Sequence, residues 1–238
     1  MNKIIFRIKK PLFYAFFISL VFFSNTASAQ WKVTPYLEYK STVVNKNNTG
    51  FSFLADYSFR KPFSLHSGVK YATFDVGSFF IQGDYMYNLS RSKKIDIGLY
   101  NKYIYNRYSP YNIQELTAIF AGKLQTKYFD FTLGATNRRY WAIRQNEKPT
   151  VERINFIYEF RGRIFEKEHK YNLALVASNT DDFHVERVQT IYLKAAGNYR
   201  INNKMNLFLD GTFIPAGVFH LAANYYGSVI KSGVEITF

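Results

Sequence analysis

The sequence predicts an all-β fold: an antiparallel up-and-down transmembrane β-barrel, with twelve strands, preceded by a cleaved signal peptide. Three observations point there. Beyond residue 30, apolar and polar residues alternate with period two through segment after segment, while helical periodicity does not compete. Aromatic residues make up 19% of the chain, with 20 Tyr and 24 Phe. Yet no stretch beyond residue 30 approaches the ~20 consecutive apolar residues of a membrane helix. Many aromatics interleaved with polar residues are what a membrane-crossing barrel requires, with lipid on one face of each strand and the lumen on the other.

The chain begins with Lys3, Arg7, Lys9 and Lys10 and no acid, followed by thirteen uncharged residues from Pro11 to Phe23. Ala27-Ser28-Ala29 then supplies small residues at signal-peptidase spacing. A charged start, a short apolar run and an A-x-A site together read as a secretory signal peptide over residues 1–29. A barrel domain over 30–238 remains. The whole chain carries a net charge of +14, and the four cations of the signal leave +10 on the rest. Cysteine is absent, so neither a disulfide framework nor thiolate chemistry is available. Export argues against nucleic acid as the partner of this positive charge. Anionic lipid head groups or solutes are the natural alternatives.

The twelve strands follow in order. The first four are WKVTPYLEYKSTVV (31–44), FSFLADYSF (51–59), SLHSGVKYATF (64–74) and SFFIQGDYMYNL (78–89). The next four are KIDIGLYNKYIYN (94–106), QELTAIFAGKL (114–124), YFDFTLGATNRRYW (128–141) and ERINFIYEFRGRIF (152–165). The last four are YNLALVASN (171–179), VQTIYLKAAGNYR (188–200), MNLFLDGTFI (205–214) and YGSVIKSGVEITF (226–238). Most exceed the ~9–11 residues that a tilted strand needs to cross an outer membrane. After even strands come short polar links such as RKP, SRSKK and INNK. After odd strands the links are more varied, from DVG to PAGVFHLAAN. This is the parity of an up-and-down barrel, with short turns inside the cell envelope and longer loops outside. None of the loops looks long enough to fold inward as a constriction. A soluble sandwich or lipocalin-like barrel would show the same alternation. Tyrosines near strand ends, among them Tyr36, Tyr57, Tyr87, Tyr128 and Tyr199, favour the membrane, because a ring with a polar tip belongs at a membrane–water interface.

The last strand, SGVEITF, alternates Val234, Ile236 and Phe238 against Glu235 and Thr237 and ends on an aromatic ring. It resembles the C-terminal signature of bacterial outer-membrane β-barrel proteins, the porin-like superfamily. That resemblance implies a bacterial outer-membrane location, surrounding outer-membrane lipid, and recognition of Val234, Ile236 and Phe238 by the barrel-assembly machinery during biogenesis. It implies no single activity.

Assigning faces strand by strand gives candidate pore-lining residues. The basic ones are Lys40, Lys70, Lys102, Lys123, Arg138, Arg153, Arg161, Lys194 and Lys231. The acidic ones are Glu38, Asp56, Asp84, Asp96, Glu115, Asp130, Glu159, Asp210 and Glu235. The near balance argues against an anion-only pore, and much of the net charge falls in the links, at Arg60, Lys61, Arg91, Lys93, Lys94, Lys127, Lys167, Lys170 and Lys204. Twelve strands enclose room for a narrow wet channel, which makes a porin-like path for passive diffusion of small polar solutes the leading function. The alternative is a closed barrel, its charges paired across strands, with a structural or surface-interaction role. A second alternative is a lipid-modifying enzyme, for which Ser178, Asp181, Asp182 and His184 in one external hairpin are the best nucleophile-and-base set; such a loop is far more often simply a turn. His66 and His220 have no second ligand at metal spacing, no phosphate-binding glycine loop is present, and no cofactor is expected.

Overall fold

The computed structural model describes residues 30–43, 47–59, 62–73, 76–89, 95–143, 149–152, 154–167, 170–187, 190–216 and 224–238. The expected signal peptide, Arg153, His169 and His220 lie outside these residues. The strands are β1 (Gln30–Thr42), β2 (Asn48–Ser58), β3 (Phe63–Ala72), β4 (Val76–Asn88), β5 (Ile95–Tyr108), β6 (Ile113–Thr126), β7 (Phe129–Ala142), the two-residue β8 (Thr150–Val151), β9 (Asn155–Lys167), β10 (Tyr171–Ser178), β11 (Tyr192–Arg200), β12 (Met205–Ala216) and β13 (Asn224–Thr237). The twelve long strands match the twelve read from periodicity. β8 is a short rung against Arg139 and Tyr140 at the end of β7.

Each long strand pairs antiparallel with its neighbour in the chain, and β6 also pairs with β7, so the sheet closes on itself. The closing seam joins the first and last strands: β1 pairs with β13 from Lys32↔Thr237 to Thr42↔Gly227. The amide of Phe238 donates to the carbonyl of Trp31, 2.9 Å away. Closure matters because no strand is left with an unpaired edge of amides and carbonyls, a necessity where no water can satisfy them. Thirteen residues at about 3.3 Å each reach roughly 43 Å, ample for a strand tilted across an apolar band about 25 Å tall.

Side-chain parity follows the pleat. Leu37, Phe51, Val69, Tyr71, Tyr103, Phe120, Leu133, Phe156, Leu175, Leu209 and Ile230 are exposed large apolar residues on the outer wall. At the end where β1 begins and β13 finishes, Tyr57 packs at a tilt against Trp31 and edge-on against Phe59, each with ring centroids 4.4 Å apart, a cluster suited to an interfacial belt. The inner wall alternates with these residues and is mostly polar. At mid-height, however, it holds an apolar cluster of Tyr36, Phe80, Tyr100, Ile104, Ile119, Ala121 and Ile157, together with Phe183 and Val185 from the β10–β11 connection. A barrel interior with its own hydrophobic core was not expected from the strand pattern.

Candidate functional site

The lumen is the candidate site, and a loop lies inside it. The connection after β10 does not stand above the barrel. Asn179 is fully buried, Phe183 is 3% exposed and Val185 is 1% exposed. This corrects the expectation that no loop would fold inward. The reason is local. β10 has only eight residues, so the chain leaves the wall early. The two apolar side chains at alternate positions of TDDFHVE then bury against an inner wall that supplies Phe80, Ile104 and Ile119.

Three kinds of contact hold the loop. At its base, Asn179 receives the amide of Tyr158 on its side-chain oxygen (2.9 Å) and donates to the carbonyls of Phe156 (2.8 Å) and Glu186 (3.2 Å). Asn155 also donates to the Glu186 carbonyl (3.1 Å). Across the lumen, Asn106 donates to the carbonyl of Phe183 at 3.0 Å, Arg138 donates to that of Val185, and the Phe183 ring meets Phe80 edge-on at 5.2 Å. At the tip, the ammonium of Lys231 lies 2.8 Å from Asp181 Oδ1 and 2.9 Å from Asp182 Oδ2, and Tyr36 donates to Asp182 at 3.0 Å. Gly68 makes the arrangement feasible, since a Cβ there would come within 2.5 Å of the Phe80 ring.

Partial loss of water inside the barrel works to raise the carboxyl of Asp182, whose side chain is still 37% exposed, but the charge of Lys231 outweighs it and holds the group at about 2. Burial likewise opposes ionisation of Glu186, yet the hydrogen bond (3.2 Å) and charge of His184, with help from Lys40 and Tyr192, hold it at about 2. Ser178 donates to the carbonyl of Thr180 at 2.6 Å and His184 meets Glu186. The two groups that the enzyme alternative would bring together are thus each committed elsewhere.

The remaining sequence-derived candidates form networks dictated by strand register. Near the termini, an alternating belt runs Glu235–Lys32 (3.3 Å), Lys32–Asp56 (3.0 Å), Asp56–His66 (2.8 Å), His66–Asp84 (3.3 Å) and Asp84–Lys123 (2.8 Å). Asp96 accepts from Asn88 at 2.7 Å, and Asp130 is gripped by both terminal oxygens by Arg163, at 2.8 and 2.7 Å. Beside the loop, Glu38 pairs with Lys70 and sits 3.8 Å from Lys231. Glu115 lies 3.5 Å from Arg138, which also reaches Glu152 at 3.3 Å. Lys102 lies over the Phe80 ring at 4.3 Å. Glu159 with Arg161 and Lys194 with Asp210 are looser pairs, each 4.0 Å apart. Lys40 lines a water-sized cavity of about 10 Å³ with Asp181, Tyr192 and Lys194.

The interior is lopsided. The charges of Lys231 on β13, Glu38 on β1 and Asp84 on β4 are sealed, their side chains 4%, 5% and 8% exposed, although Lys32 at the start of β1 is 37% exposed. On β9, and at the loop tip, water reaches them: Arg161 is 39% exposed, Glu159 34% and Asp182 37%. A groove of about 520 Å³ lined by Leu37, Tyr39, Phe51, Tyr71 and Ile230 belongs to the outer wall and is not part of the lumen.

A closed ring of twelve antiparallel strands, apolar outside and charged within, is a distinctive fold. It is a closed antiparallel up-and-down β-barrel, a fold shared with solved outer-membrane porins. The chain is similar to the KdgM porin in complex with disordered oligogalacturonate, with a TM-score of 0.56 and 13% identity over 87% of this chain and 99% of that one. It is similar to the NanC porin, with a TM-score of 0.57 and 8% identity over 86% and 98%. An outer membrane channel from Pseudomonas putida F1 matches with a TM-score of 0.56 and 11% identity over 90% and 97%. No protein-family model and no curated protein matches the chain. At these identities the likeness is one of barrel architecture.

Sequence reasoning missed the loop and the apolar inner residues that seat it. A signal was available in the alternation of Phe183 and Val185 within an otherwise polar link, directly after an unusually short strand. The His66 position between two aspartates also went unread, because its partners come from neighbouring strands and only the register Asp56↔His66 and Ser64↔Asp84 brings them together.

Proposed function

We propose that this barrel resides in a bacterial outer membrane as a porin-like channel for passive diffusion of small polar solutes, after export and cleavage following Ala29. The observation that carries the reading is the wet, charged side of the lumen. Glu159 and Arg161 on β9 stay about a third exposed inside a closed wall, and Asp182 at the tip of the inserted loop is equally open to water. Side chains of mixed sign, including Glu159, Arg161, Lys194 and Asp210, would let small polar solutes exchange water for protein contacts without strong preference for one charge. Oligogalacturonate in the KdgM structure is a polar solute of acidic character, and the shared architecture makes short saccharides reasonable cargo. The outer apolar face would meet lipid, and Val234, Ile236 and Phe238 would be read by the assembly machinery.

Single-channel recording of the refolded protein in planar bilayers tests this directly. Discrete, ohmic conductance steps are expected. A second reading, the closed barrel without conductance, draws on the way the loop is bound through Lys231, Asn106 and Arg138. If the wild type passes no current and a variant with Thr180–Val185 replaced by a Gly-Ser link does, the loop is a complete plug. If neither conducts, the channel reading fails.

A further inference from the structure

We propose that Asp181 and Asp182 set the charge preference of the lumen, by neutralising a neck that the wall alone would make strongly positive. The proposal rests on the channel reading and adds to it a specificity determinant carried by the inserted loop. Five lysines from different strands converge around the loop tip. Lys231 holds both aspartates, at 2.8 and 2.9 Å. Lys40 and Lys194 line the water-sized cavity that Asp181 also borders. Lys70 lies 5.9 Å from the Phe183 ring, and Lys102 packs on Phe80, the ring that receives Phe183.

Among the described residues, the wall answers these cations with two carboxylates. Glu38 serves Lys70 and Lys231, and Asp210 stands 4.0 Å from Lys194. The pair formed by Glu159 and Arg161 offsets itself. Lys102 is 8% exposed, and among the described residues it has no carboxylate within ion-pair distance. Without the loop, three of the five lysine charges in the neck would therefore be unmatched. With Asp181 and Asp182 in place one is, and Glu186 on the same connection adds a third carboxylate beside Lys40. Buried ammonium groups are costly unless charge is returned to them. Here the compensating charge arrives on a connection and not on a strand, so the wall and the loop divide the electrostatics of the passage between them. Asp182 keeps 37% of its side chain open to water, where a passing ion would meet it.

The test is the reversal potential in planar bilayers under a KCl gradient, with gel migration before and after boiling confirming that each variant is folded. In water-like dielectric, one unit charge about 5 Å from the path changes local ion occupancy about fourfold. D181N/D182N should therefore raise the anion-to-cation permeability ratio several-fold. K102M/K194M should move it in the opposite direction. A loop that served only to obstruct would shift conductance in both variants and leave the reversal potential unchanged. That result, or a shift of the same sign in both, overturns the proposal while the channel reading stands. Absence of current in the wild type, in both variants and in the Gly-Ser loop replacement would instead remove the channel reading and this proposal with it.

Discussion

Individual side chains in this barrel divide into those that carry charge to water and those that hold the loop. Arg161 and Arg138 have similar places in the strand pattern, yet Arg161 is 39% exposed and loosely paired, whereas Arg138 donates to the Val185 carbonyl and reaches both Glu115 and Glu152. Arg161→Glu should consequently shift ion preference toward cations with single-channel conductance little changed. Arg138→Glu should release the loop and change conductance itself. Equal behaviour of the two variants in bilayer recordings would contradict this division. Acid provides a second test. Asp182 and Glu186 titrate at about 2, below their ordinary 3.8 and 4.5. A depressed carboxyl contributes stability at pH above its ordinary pKa, and loses it as pH falls through the lowered value. The loop should stay seated from pH 7 to about 5 and loosen between about 4 and 2. Conductance recorded across that range checks it, and a transition near pH 6 would mean that another group controls the loop.

For the elements, the inserted loop and the strands around it obey different rules. Phe183 is 3% exposed and packs on Phe80, so Phe183→Ala should cost about 3–5 kcal/mol of local stability and make Asn179–Glu186 accessible to protease while the wall remains intact. Gly68→Val should act similarly by pushing Phe80 out of position, since its Cβ alone would lie 2.5 Å from that ring. Protection of the loop in both variants would show that its polar anchors suffice. The strands were legible because period two is a property of each segment alone, and each of the twelve carried it. The loop was not, because TDDFHVE has the composition of an exposed turn. What draws it inward is the apolar set Phe80, Ile104, Ile119 and Ile157, which lies on four different strands. Those residues sit at inner positions where the pattern called for polar side chains. Each looks like a small irregularity of alternation until the register assembles them at one height. The alternation names the charged residues of each strand, but it cannot name their partners, since Asp56–His66–Asp84 is a statement about neighbouring strands.

Taken whole, the molecule is a ring whose stability does not depend on an edge. Unboiled protein in detergent should be rich in β-structure and migrate differently from the boiled form, because opening the wall exposes two rows of unpaired backbone groups at once. Deleting Phe238 tests the terminal signature at this level. The residue is 71% exposed and contributes one backbone bond to Trp31, so refolding in detergent should be nearly unaffected. The yield of heat-modifiable protein in outer-membrane fractions should fall. Equal loss in both settings would make Phe238 a structural residue, and no loss in either would make it an ordinary interfacial aromatic.

The seam between β1 and β13 has a temporal meaning as well as a geometric one. Of the two neighbours of β1, β2 follows it at once in the chain, whereas β13 comes only after every other strand of the wall. Lys32 embodies the delay: its partner Asp56 arrives early and its partner Glu235 only at the end. An interrupted chain would hold an open edge, sticky to other open edges, and would have no way to hide it. Closure thus doubles as an inspection of the wall, passed only when β13 is present to meet β1.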